Sequence, residues 1–298
     1  MIIDVHVHAW DASSVLSCEK FLEWVVNLDE GVHAWTGTPM MVGGPLIFSA
    51  EELISMMDEA GIDKVCLLGL EDPEGVMITN DALANIVNSH PERFIGFGGL
   101  NPLNSPEKTV PEIEHMVKEF GFKGLKLHPD TSYYFCNDEK LCYPVYEKAQ
   151  ELGITILIHM GFDTNPALLK YARPILLDDV ATAFPKLKII CAHAGYPWVE
   201  ETAVLLLKHK NFYTDISFIE TFCPESRYQQ TIKYLVDTFP QAIDHIVFGS
   251  DFPAGPNPQE INLFKAGLDR VKNLDFLSKE EKKKILGENA ARILGIKE

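Results

Sequence analysis

Eight short apolar runs, spread along the whole chain and separated by amphipathic segments, limit the possible folds more than any other feature. They are Ile2 to His8, Lys64 to Gly69, Phe94 to Leu100, Gly124 to His128, Thr155 to Met160, Lys188 to His193, Phe212 to Ser217 and Ile246 to Asp251. Most are nearly continuous in Val, Ile, Leu and Phe, as expected of parallel strands with helices on one face and a packed interior on the other. The intervening segments carry helix signals. Ser49-Ala50-Glu51-Glu52 has capping-box form, and Ser105-Pro106 sets a cap residue before a proline at the first helical position. Gly61, Gly121 and Gly153 each end a helical pattern just before a strand, where a left-handed residue is wanted. Strand-then-helix repetition of this length predicts an α/β fold, a (β/α)8 TIM barrel, with a doubly wound open sheet as the alternative. No linker or low-complexity tract divides the chain, so residues 1–298 are expected to form one domain. The irregular stretch 9–48, with a helical piece around Cys18 to Asn27, reads as a long insertion after the first strand. Such an insertion sits over the active face as a lid or oligomer contact, or is a packed surface segment.

Composition narrows the function. The 298 residues are 46% apolar, enough to fill a sizeable core, and 43 acidic against 26 basic residues give a formal charge of −17. That surface argues against a nucleic-acid partner and against anionic membranes, which select Lys and Arg. No stretch is long and apolar enough to span a bilayer. The six cysteines, Cys18, Cys66, Cys136, Cys142, Cys191 and Cys223, form no C-x-x-C pair, and the first run is a strand where a signal peptide would be basic and then apolar. Reduced thiols in a cytoplasmic protein are the expectation.

The ends of the runs carry the chemistry. In a barrel, catalytic side chains come from the C-terminal ends of strands. Here polar residues close one apolar run after another: His6 and His8 in the first, Lys126 and His128 in the fourth, His159 in the fifth, His193 in the sixth and Asp251 in the eighth. In the first run, alternation sends His6 and His8 to one face while Ile3, Val5 and Val7 pack away from it. A single histidine of this kind is more often a satisfied core residue than a ligand. Five at matching ends, with an aspartate, would each need a buried partner without functional return, and they point to a shared metal site. The other histidines read differently. His90, His115 and His209 are expected to face solvent, and His245, before the eighth run, to serve stability. Tyr133, Tyr134, Phe135, Trp198, Phe218 and Phe222 follow strands and are either pocket walls or plain packing.

Read together, Asp4-x-His6-x-His8, Gly124-x-Lys126-x-His128-Pro129, His159, Ala192-His193-Ala194-Gly195, Gly249-Ser250-Asp251-Phe252-Pro253 and Glu288-Asn289-Ala290-Ala291-Arg292 resemble the amidohydrolase superfamily. Within it they resemble the amidohydrolase-related branch that contains aminocarboxymuconate-semialdehyde decarboxylase. The resemblance covers nearly the whole chain and implies a distorted barrel with one divalent metal, usually Zn2+ with Mn2+ as the variant, held by His6, His8, His159 and Asp251. It further implies a homodimer and a small-molecule substrate bearing a carboxylate. Imidazoles and a carboxylate suit such an ion, which lowers the pKa of a bound water towards about 7. Asp251 would take a proton, and His193 would orient water or stabilise developing negative charge. Lys126 and His128, on one strand face, would meet the substrate.

Two reactions fit these residues. Hydrolysis of an amide, lactone or ester carbonyl is the expected one; non-oxidative decarboxylation of a 2-hydroxy or 2-oxo carboxylate is the alternative. Decarboxylases of the branch commonly hold the carboxylate with arginine, and the first arginine here, Arg93, leads into the third run at the wrong barrel end. A metal-dependent nuclease conflicts with the acidic charge and with Lys126 where those enzymes carry glutamate. A purely structural metal would leave an open coordination position without purpose.

Overall fold

The computed structural model describes residues 1–8, 48–71, 77–163, 167–255 and 261–297, so the expected insertion 9–48 lies outside the described residues except for Phe48. Eight strands, β1 (Ile3–Val7), β2 (Lys64–Leu68), β3 (Phe94–Gly99), β4 (Gly124–Leu127), β5 (Thr155–Ile158), β6 (Lys188–Cys191), β7 (Phe212–Asp215) and β8 (Ile246–Val247), follow one another in sequence order, each parallel to the next. Backbone bonds from β1 to the segment after β8 bring the two ends together: Val5 N donates to Phe248 O at 3.0 Å, and Asp251 N to His6 O at 2.8 Å. Val7 also bridges Phe252. A nearly closed barrel results. The doubly wound alternative fails because that topology reverses strand order partway and leaves two free edges.

The local signals mostly act as the residues suggest. Ser49 Oγ accepts from Glu52 N at 3.2 Å while Glu52 Oε2 accepts from Ser49 N at 2.8 Å, the reciprocal capping box that starts helix Ala50–Ala60. Gly61, Gly121 and Gly153 take φ of 80°, 72° and 70°. Ser105 differs: it has φ 73° and its side chain makes no capping bond, so Pro106 starts helix Pro106–Lys118 without a hydroxyl cap. His209 also differs. It is buried, with Nε2 2.6 Å from Asp178 Oδ1, because a carboxylate from the neighbouring helix meets it. His90 is half-buried against Ser89 and Phe94, and His115 is exposed as expected. His245 bonds Phe212 O through Nδ1 at 2.8 Å and stacks on Tyr213.

Packing explains how the site is held. Gly96 and Gly98 of β3 face outward, since a Cβ there would meet Phe122 and Met116, leaving the alternate positions to turn inward. At the C-terminal end of the chain, Asn289 donates through Nδ2 to Ile243 O and Ile246 O, both at 2.8 Å, and so ties the last helix to the start of β8. That accounts for the asparagine of the closing motif. Among the described residues, no helix is long and apolar enough to cross a membrane, and all five described cysteines are free.

Where β2 and β3 end, their backbones nearly touch: a Cβ on Gly69 would stand 2.4 Å from Gly99 N. Gly69→Ala must therefore push two strands apart. We expect it to lower the free energy of unfolding by about 1–3 kcal/mol, read as a shift in the urea midpoint with unchanged slope.

Candidate metal centre

The polar residues at the strand ends converge at the C-terminal mouth of the barrel. Five imidazoles form a continuous row, His8, His6, His193, His159 and His128, with successive ring centroids 5.3, 4.8, 4.9 and 4.4 Å apart. Two of the site positions are backbone-strained: His193 has φ 58° and Asp251 φ 59°, the left-handed region that side chains with a Cβ disfavour. Both turns are held by backbone-linked bonds. Asp251 N donates to His6 O, and His193 N donates to Asp215 Oδ1 at 2.9 Å.

Asp215, at the end of β7 and fully buried, organises the row. Its Oδ2 lies 3.0 Å from His6 Nδ1; its Oδ1 accepts from His193 N, from Ser217 N at 3.1 Å and from Ser217 Oγ at 2.5 Å. Burial alone would raise this carboxyl, yet His6 beside it, with His193 and Ser217, holds it below the usual carboxylate range. A carboxylate can only accept, so His6 carries its proton on Nδ1 and turns the Nε2 lone pair towards Lys126 Nζ and Asp251 Oδ1, each 3.0 Å away.

The same reasoning runs down the row. His193 Nδ1 faces the Ser217 carbonyl at 3.2 Å and Ser217 Oγ at 2.9 Å. The hydroxyl already donates to Asp215, so both are acceptors and His193 Nδ1 carries the proton. His193 Nε2 then accepts from His159 Nδ1 at 3.2 Å, which leaves His159 Nε2 as a lone pair. That atom is buried and has no hydrogen-bond partner among the described residues.

Of the four residues that the resemblance implies as ligands, His6, His8 and Asp251 come together as one group. Asp251 Oδ1 stands 3.0 Å from His6 Nε2 and 3.3 Å from His8 Nε2. Donors that share one ion at about 2.1 Å stand about 3.0–3.4 Å apart, so this spacing fits a divalent cation. The protonation states fit as well. Burial lowers His8 to about 4 and His193 to about 3, so both are neutral. Burial would raise Asp251, but His6, then His8 and His193, pull it well down. For His6, burial and Lys126 act downward, and Asp251 with Asp215 outweigh them to raise it. His159 Nε2 stands 3.5 Å from Asp130 Oδ2, grouped with His128, Asp130 and Asp163, while Asp251 is also among the charges that act on it.

Lys126 is buried on the same inner wall, and burial lowers its ammonium to about 8 against the pull of Asp251, Asp215, Asp130 and Asp163. Phe218 packs on His193 with centroids 5.7 Å apart and meets Phe222, which meets Phe162. Tyr133 and Phe135 are exposed, Tyr134 is buried, and Trp198 lies under the Arg173 guanidinium. Arg93 is committed elsewhere, to the carbonyls of Ile62 and Asp63 and to Asp58. Asp215, Ser217, Asp130 and Asp163 escaped the reading of the sequence, although Asp215 and Ser217 also close an apolar run, the signal that marked Asp251.

Because Asp215 sets the lone pair of His6 directly and that of His193 through Ser217, its loss should be felt at the ion. Asp215→Asn is expected to weaken divalent-metal affinity by about 10–100-fold, measured by titration against a competing chelator.

Comparison with known proteins agrees with this geometry. The chain is 23% identical over 250 residues to a 2-amino-3-carboxymuconate-6-semialdehyde decarboxylase of Dictyostelium discoideum, an alignment covering 73% of this chain and 65% of that protein. It is 27% identical over 239 residues to a 2-keto-4-carboxy-3-hexenedioate hydratase of Sphingobium sp., covering 72% of this chain and 69% of that protein. Among solved structures, a dihydroxybenzoic acid decarboxylase from Polaromonas sp., with bound manganese and the inhibitor 2-nitroresorcinol, superimposes with a TM-score of 0.68 at 20% identity, over 99% of this chain and 97% of that one. The model of the amidohydrolase family matches residues 3–296, and with the barrel and its row of histidines in place the chain belongs to that family of the amidohydrolase superfamily.

Proposed function

We propose that this protein is a metal-dependent carboxy-lyase that removes CO2 without oxidation from a 2-hydroxy or 2-oxo carboxylate. The observation that carries the reading is the buried Lys126 ammonium, 3.0 Å from His6 Nε2. It sets a fixed positive charge beside the His6, His8 and Asp251 group, where a substrate with a carboxylate next to an oxygen donor would need one. The decarboxylases among the relatives support it. Hydrolysis asks Asp251 to act as a base, and Asp251 Oδ1 is already shared between His6 and His8.

His6, His8 and Asp251 would hold the ion, and manganese, the ion of the Polaromonas structure, is the first to try. When bound, the ion draws electron density from the 2-oxygen of the substrate and so stabilises the charge left when CO2 departs. The protein does the rest. Lys126 Nζ neutralises and orients the carboxylate, with His128, just past the end of β4, as a second contact. The C–C bond to the carboxylate breaks with its electron pair remaining on carbon. A proton from Lys126 Nζ then forms the new C–H bond, and solvent restores the ammonium. Phe218 and Phe222 line the mouth beside His193 and limit water there.

Metal-loaded protein incubated with 2-hydroxy and 2-oxo carboxylates, aromatic and aliphatic, should release CO2 and incorporate one solvent deuterium at the carbon that lost it. Lys126→Met should lower kcat/KM by about 10²–10³-fold with metal content unchanged. Turnover of lactones, amides or esters with no CO2 from any carboxylate would overturn the reading in favour of hydrolysis.

A further inference from the structure

One helix of the outer ring turns apolar side chains to solvent. In helix Val199–Lys208, residues Val199, Thr202, Ala203, Leu205 and Leu206 are buried, and the outward positions are Glu200, Val204, Leu207 and Lys208. Val204 and Leu207 are 55% and 60% exposed, the two most exposed large apolar side chains among the described residues. Ile175, also exposed, is tied to the same helix, its N–H donating to Glu201 Oε2 at 3.1 Å. Other helices of the ring carry ion pairs one turn apart on their outer faces: Glu114 with Lys118, Lys233 with Asp237 and Lys265 with Asp269. Single exposed apolar residues are ordinary, but three grouped around one helix form a patch that a partner can cover.

The charges beside the patch select what fits it. Glu200 and Lys208 stand four residues to either side of Val204, about 6 Å along the axis in each direction. Lys208 Nζ lies 2.6 Å from Asp178 Oδ1, and with three donors it can serve a second carboxylate. A second copy of the helix, laid antiparallel across Val204, sets Glu200 of each chain against Lys208 of the partner subunit. The patch is then self-complementary, as a two-fold contact demands. Laid parallel, the two helices would set Glu200 against Glu200 of the partner subunit, and like charges repel. An acidic start and a basic end also suit the dipole of a lone helix, so the charges fix the direction of pairing and the apolar centre drives it. At a formal charge of −17, an anionic membrane or a nucleic acid is a poor occupant.

We propose that two copies of this chain associate about a two-fold axis at Val204, with helix Val199–Lys208 packed antiparallel on its counterpart and Leu207 and Ile175 flanking the contact. The pairing does not depend on which reaction the barrel mouth supports.

The test is sedimentation velocity of the full chain, with the folding of each variant checked by circular dichroism. Wild type at about 10 μM should sediment as a species of at least twice the 33.4 kDa chain. Val204→Glu, which sets two like charges face to face at the axis, should weaken association by about 100-fold or more. Glu200→Lys and Lys208→Glu should each weaken it, and the two changes in one chain should restore it, because only the antiparallel arrangement rebuilds the ion pair when both charges are reversed. A monomeric wild type, which would leave the patch to a different protein, overturns the proposal, and so does a folded Val204→Glu that associates as wild type does. Weakening by the single charge reversals with no recovery in the double variant overturns the antiparallel arrangement.

Discussion

A single buried carboxylate, Asp215, determines where the imidazoles of this barrel point their lone pairs. Through Oδ2 it holds the proton of His6 on Nδ1, and through Oδ1 it aligns the His193 backbone and the Ser217 hydroxyl. A histidine binds a metal only with a nitrogen that carries no proton, so the partner of the other nitrogen decides whether binding is possible. Without Asp215, His6 could donate from Nε2 and His193 could reverse its tautomer, and the row that ends at His128 would lose its direction. The charge balance depends on it as well, since Asp215 and Asp251 flank His6 from two strands and oppose the desolvation that burial imposes.

The cost of this arrangement is carried by the backbone. His193 and Asp251 occupy left-handed conformations, each of order 1–3 kcal/mol above an ordinary one. The barrel tolerates them because both residues are tied to neighbouring strands, Asp251 to His6 of β1 and His193 to Asp215 of β7. Such strain turns each side chain across the mouth, where a regular strand end would alternate it away. The same bond between Asp251 and His6 helps close the barrel, so the contact that joins its two ends also places Asp251 beside His6.

Legibility varied with the range of the interaction. The eight strands, the capping box at Ser49 and the left-handed glycines were readable because each depends on neighbours in sequence: apolar runs, hydroxyl and carboxylate three residues apart, a residue without Cβ. His6, His8, His128, His159, His193 and Asp251 were legible as polar ends of apolar runs. How they group was not, because it depends on which ring each nitrogen meets from another strand. His209 shows the limit plainly. Between two lysines it reads as exposed, yet Asp178, thirty-one positions away, draws it inside. Ser105 shows the opposite error, a local cap signal that the entering chain direction does not use.

The sequence by itself determined the barrel and the family, because strand periodicity and the order of short motifs survive without knowledge of distant contacts. It also determined that several metal-binding side chains would crowd one end, since barrel strands all point the same way. Only the tertiary structure decided that Asp215 governs the tautomers, that Lys126 stands against His6, and that Asp130 comes within 3.5 Å of His159 Nε2. Hydrogen-bond direction and electrostatic pairing act over a few ångströms in space between residues far apart in the chain, and no pattern of spacing along one strand records which partner lies across the mouth.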